Sequence, residues 1–193
     1  MGKNLVMTTV LTLNLNDLNS QFVSDLKRKY NKSTKIEIRL DEVLSSDVLF
    51  SEQNFWEIIN SIDWSKESST GKLSPAIQRL SGMPISNIYL FADKLSEKLY
   101  KLATREHAEY YAKNEIDNYI SVDGFLYARC AVVAEGIEYY ETVLNDASKM
   151  PEDIEFEPLL FLADRAFKLK TAKDFNYRPM FNYETHSNKS GWK

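Results

Sequence analysis

Between Asn118 and Leu144 the sequence carries a helical stripe that must be buried, with a permanent charge inside it. Phe125, Val132, Val133, Gly136, Ile137, Tyr140, Val143 and Leu144 recur at the three- and four-residue spacing of one helix face. Arg129 lies in that row. A guanidinium keeps its charge in a core, and an ion stripped of its buried partner costs roughly 3–5 kcal/mol. The reading that follows is that the rest of the fold delivers a carboxylate to this helix.

Two kinds of periodicity flank it. Thr8 to Leu15 alternate like a half-buried strand, and Ile36, Ile38 and Leu40 alternate with Glu37 and Arg39 as a second. Between them Leu18, Phe22, Leu26 and Tyr30 step at i+4, a helix capped at Asn16 or Asp17. A strand-helix-strand unit of about 40 residues is too small to stand alone. It must dock on the body or pair with a second copy through its open strand edge, as a homodimer would.

Beyond a linker, the periodicity turns entirely helical. Ser51 caps a helix carrying Phe55, Trp56, Ile58, Ile59 and Ile62, and Leu73, Ile77 and Leu80 mark a short one. Ile88, Phe91, Leu95, Leu99 and Leu102 form the row of a longer helix after Pro84, and Thr104 caps the next. The central helix runs from Ser121, and a last amphipathic helix covers about 155–172. The tail after Phe175 is aromatic without period. Tyr177, Phe181, Tyr183 and Trp192 are costly to leave in water, so it is expected to lie back on the helices. The expected architecture is α+β and predominantly helical: residues 1–50 form the small unit plus linker, and 51–193 the helical body with an extended C-terminal tail.

Charge and cysteine usage narrow the function. Residues 1–40 carry a net +4 and the remainder −8. An acidic body disfavours phosphate-backbone binding, and Lys27-Arg28-Lys29 reads as cations favouring a helix C-terminus. Cys130 is the one cysteine, which excludes an intramolecular disulfide framework and multi-cysteine metal sites. No eighteen apolar residues run together. The expectation is a cytoplasmic protein with no membrane or nucleic-acid partner, no cofactor and no metal.

Phe55-Trp56, Ser121-Val122-Asp123-Gly124-Phe125 with Arg129 and Gly136, and Tyr183-Glu184-Thr185-His186-Ser187-Asn188 with Gly191-Trp192 stand in an order that resembles the bacterial domain of unknown function 4240 family, over about residues 55–192. Ala128 and Ala131 are small where that family tends to place bulky aromatics. The resemblance implies a mostly helical body and carries no activity.

Candidate chemistry gathers at Asp123, Arg129, Glu184 and Asn188, lined by Tyr127, Tyr183 and Trp192. In the structural reading Arg129 and Glu184 are the buried pair and the tail is a latch; in the functional one the cluster binds a ligand. Both bring Glu184 to Arg129. Catalytic residues are not assigned. His107 lacks the second histidine of a zinc helix and reads as solvated, His186 and Ser187 are neighbours without being a dyad, and Cys130 reads as a small hydrophobe. The function expected is a non-catalytic interaction protein of the bacterial cytoplasm, of the immunity or antitoxin kind, that neutralises a protein partner. The alternative is an enzyme or small-ligand sensor with a polar site around Arg129, Asp123 and Glu184.

Overall fold

The structure, a computed structural model, describes residues 19–31, 50–114, 117 and 119–193. The chain divides into two compact units, Met1–Val43 and Leu44–Lys193. In the first, α1 (Ser20–Lys29) is started by the Asn19 side chain, which accepts from the Phe22 amide at 3.0 Å. Lys27, Arg28 and Lys29 occupy its last turn, where cations favour the carbonyl pole.

The second unit is built from α2 (Glu52–Ile59), α3 (Ser69–Gly82), α4 (Ile85–Lys101), α5 (Arg105–Tyr111), α6 (Val122–Ala134), α7 (Ile137–Asn145) and α8 (Leu162–Thr171), with 3-10 turns at Ala147–Lys149 and Glu157–Phe161. Hydroxyls set the starts. Ser51, Ser68, Thr104 and Ser121 accept from the amides of Asn54, Gly71, His107 and Gly124, each satisfying a donor the first turn leaves free.

α6 is the axis of this unit. From Gly124 to Ala134 every residue but Tyr127 is buried, so the helix is enclosed on all sides rather than on one stripe. It packs on α4, α5, α7 and the Glu157–Phe161 turn, while α8 lies along α3 and α4. Gly124 is needed where α6 meets α5, because a Cβ there would sit 2.3 Å from the Tyr111 hydroxyl oxygen. At the far side Phe55 stacks on Phe91 at 5.1 Å, and Phe50 meets Phe91 edge-on.

After α8, which ends on Ala172 in the left-handed conformation, the tail lies along α4. Phe175 and Tyr177 pack around Tyr89, and Phe181 lies against Tyr100. Asp93 accepts from the Tyr177 hydroxyl (2.8 Å) and the Met180 amide (2.7 Å). The Ser96 hydroxyl accepts from the Phe181 amide (3.3 Å).

Two expectations are corrected. Among the described residues all regular structure is helical and no strand forms, so the α+β assignment gives way to an all-helical one. The segments read as strands, 8–15 and 36–40, lie outside the described residues. The strand reading rested on alternation in those segments alone, whereas the helical rows of the body are the ones that bury against one another. The central helix also breaks. Gly136 has φ +103°, a conformation open mainly to glycine, and divides the 118–144 stripe into α6 and α7.

Candidate functional site: the tail latched over Arg129

Helix α4 ends with carbonyls that have no partner in the helix itself. Two of them are met by side chains that the sequence places far away. Leu99 O accepts from Arg129 Nη1 at 2.8 Å, and Tyr100 O accepts from Asn188 Nδ2 at 3.1 Å. The tail supplies the rest of the Arg129 shell. Tyr183 O accepts from Nη1 (2.9 Å), and the Thr185 hydroxyl accepts from Nη2 (3.1 Å) while donating to Val122 O (2.8 Å). Nε donates to Phe125 O at 3.3 Å, and the guanidinium carbon lies 4.7 Å from the Phe125 ring centroid.

Arg129 is 0% exposed, yet its acceptors are three helix or tail carbonyls plus one hydroxyl, and no carboxylate is among them. The negative pole of α4 faces the cation directly, and the Glu184 charge favours it from a distance without a contact. Burial lowers the Arg129 pKa to about 10, which leaves it charged at neutral pH. The same burial pushes the Cys130 thiol up to about 12, so the thiolate needed for nucleophilic chemistry is not formed.

The expected site residues separate. Arg129, Asn188 and Tyr183 come together with Trp192, whose ring meets Phe125 edge-on at 6.4 Å. Glu184 and Asp123 are exposed, Glu184 on the outer side of the tail and Asp123 in the first turn of α6, where an acid favours the dipole. Neither touches the guanidinium, but Glu184 lies near enough for its charge to favour the cation. Asn188 also closes the tail's end, its Oδ1 accepting from Gly191 N (3.1 Å) and Ser190 Oγ (2.8 Å). Gly191 O then accepts from Arg105 N at 2.8 Å, satisfying the first amide of α5.

His107 is buried rather than solvated. Val143 O can only accept, so Nε2 (2.9 Å) carries the proton and Nδ1 accepts from the Thr104 hydroxyl (2.7 Å). Burial lowers its pKa below 6.5 and holds it neutral. His186 stands at φ +70° with its ring 4.1 Å from that of Trp192, and the Ser187 hydroxyl donates to Asn182 O, so the two make no dyad.

Sequence reading missed a second polar cluster. Glu52 takes ion pairs from Lys94 (3.3 Å) and Lys98 and accepts from Trp56 Nε1 (3.0 Å), and Lys98 lies over the Trp56 and Tyr140 rings. Burial raises the Glu52 pKa, but the two lysines outweigh it and hold the carboxylate below its ordinary range. The signal was present: Phe91, Lys94 and Lys98 follow the same three- and four-residue spacing as the apolar row.

A depression of about 510 Å³ opens beside the latch, lined by Lys101, Thr104, Arg105, His107, Leu144 and Gly191 among others. Arg129 and Asp123 do not line it. Among the described residues no group of three or more His, Cys, Asp or Glu could hold a metal ion, and no helix is long and apolar enough to cross a membrane.

The model of a family described as proteins of unknown function (DUF4240) matches residues 50–169. No curated protein and no solved structure matches the chain.

Proposed function

We propose a non-catalytic protein-interaction role for this chain, which belongs to the DUF4240 family of proteins of unknown function. It acts in the bacterial cytoplasm as an immunity or antitoxin-like protein, binding another protein and neutralising it. The observation that supports this reading is the closure of the Arg129 cluster. A ligand site needs polar groups with unspent hydrogen-bonding capacity facing a cavity, and here the guanidinium is spent on Leu99 O, Tyr183 O, Phe125 O and Thr185 Oγ1. Cys130 and His107 are buried and neutral.

The test begins with the tagged full chain purified from its own host at moderate salt, followed by size exclusion and mass spectrometry. A stoichiometric partner, re-formed from purified components and losing its own activity in the complex, is the expected result. Clean elution without partner, together with turnover of a small molecule, refutes the reading.

A further inference from the structure

One face of the second unit combines acidity with exposed apolar side chains. Segment 152–157 lies against α5 and the first half of α6 and is tied down there: Phe156 N donates to Tyr127 O (3.0 Å), the Tyr111 hydroxyl to Glu155 Oε1 (3.3 Å), and Asn114 Nδ2, just past α5, to the Glu152 carboxylate. Beside it comes the entry to α6. Residues 117–123 and 152–157 hold Asp117, Asp123, Glu152, Asp153, Glu155 and Glu157 and no Lys or Arg. All six are exposed.

Within this acidic field Tyr119 is 69% exposed, Ile154 60% and Val122 45%. Trp64, 43% exposed, extends the face, with its ring 5.0 Å from that of Phe156 and Lys72 over it at the edge. Tyr127 feels the same field. Burial first, then the carboxylates of Glu157 and Asp123, push its phenol up.

We propose that this face is the docking surface for a cationic segment of the partner protein, one that also presents a large apolar side chain; the inference rests on the interaction reading above. Asp123 and Glu157 both act on the Tyr127 phenol and Glu155 lies at Gly124, so like charges crowd the entry to α6, and the exposed aliphatic and aromatic surface beside them is unfavourable in water. A basic segment relieves the first and an apolar side chain covers the second. Nucleic acid and the anionic leaflet of a membrane are repelled by this face, as is the same face of a second copy. Attraction at a distance also speeds encounter, so binding is salt-sensitive.

The test places a photoreactive benzoylphenylalanine in the full chain at position 154 or, as a control on α8, at Leu169, which is 61% exposed. After irradiation in the host, adducts are identified by mass spectrometry. The expected result is a protein adduct from 154 and none from 169, with the linked peptide rich in Lys and Arg. The purified partner then binds the Asp123→Lys/Asp153→Lys variant roughly tenfold or more weakly, and also weakens between about 50 and about 300 mM salt. Both replaced side chains are exposed, so an unchanged circular dichroism spectrum is expected and confirms that the variant folds.

An adduct from 169 alone overturns this surface but leaves the interaction reading standing. A partner whose affinity ignores both salt and the double variant does the same. Adducts with a second copy, or with residues 1–43 of the same chain, overturn the proposal by showing that the protein covers the face itself. No adduct at either position, with no stoichiometric partner on purification, overturns the surface and the interaction reading together.

Discussion

Thr185→Val removes one hydroxyl and almost nothing else, which makes it the sharpest probe of how Arg129 is accommodated. The hydroxyl accepts from Arg129 Nη2 at 3.1 Å and donates to Val122 O at 2.8 Å, and Thr185 is buried. Valine keeps the shape and β-branching. A hydrogen bond to a charged group contributes about 1.5–3 kcal/mol, and one between neutral groups about 0.5–1.5. Their joint loss predicts a destabilisation of about 2–4.5 kcal/mol, or about 4–18 °C in melting temperature for a chain of this size. Glu184→Gln is the comparator. Glu184 is exposed and acts on the guanidinium only through space, so screening holds the effect of its neutralisation to about 0.5 kcal/mol. Urea denaturation of both variants measures the two numbers. Hydrogen exchange adds a local readout, since amides of the tail from Phe181 to Gly191 lose protection before those of α6 if the tail is the element released. The reasoning is refuted if Thr185→Val costs less than about 0.5 kcal/mol, or if Glu184→Gln costs as much as Thr185→Val.

Other perturbations read other parts of the same assembly. Gly136→Ala forces a side chain onto a backbone at φ +103° with Asn60 Oδ1 3.0 Å from the new Cβ, and a thermal melt should show a loss of about 1–3 kcal/mol. His107 is held below its ordinary pKa of 6.5 by burial. On acidification the unfolded chain therefore takes the proton first, so this contribution is complete above the unfolded value and is lost as pH falls toward the folded one. Urea midpoints between about pH 7.5 and about 5.5 should fall in the wild type, and the His107→Gln variant should lose that slope. Gly191→Ala brings a Cβ to 2.8 Å from Thr104 Cγ2 and disturbs the Asn188 closure; limited digestion with trypsin should then cut faster at Lys189 than in the wild type, and an unchanged rate would contradict the close fit.

Much of the body is legible from the amino-acid order because its signals are local. The hydroxyls of Ser51, Thr104 and Ser121 stand before apolar rows and do cap helices, and the aromatic tail lies on the body because four rings were costly to expose. That Arg129 would be buried followed from its place in the stripe. What answers its charge did not follow, because the acceptors are Leu99 O, Tyr183 O and Phe125 O, and every residue type carries the same carbonyl. A sequence advertises carboxylates, so Glu184 stood out while the end of α4 did not. The break at Gly136, the burial of His107 and the pairing of Lys94 and Lys98 with Glu52 belong with that choice. Periodicity and capping are properties of neighbours along the chain and can be read there. Which helix end, which tail carbonyl and which face meet in space depends on contacts between distant segments, and only the tertiary structure decides them.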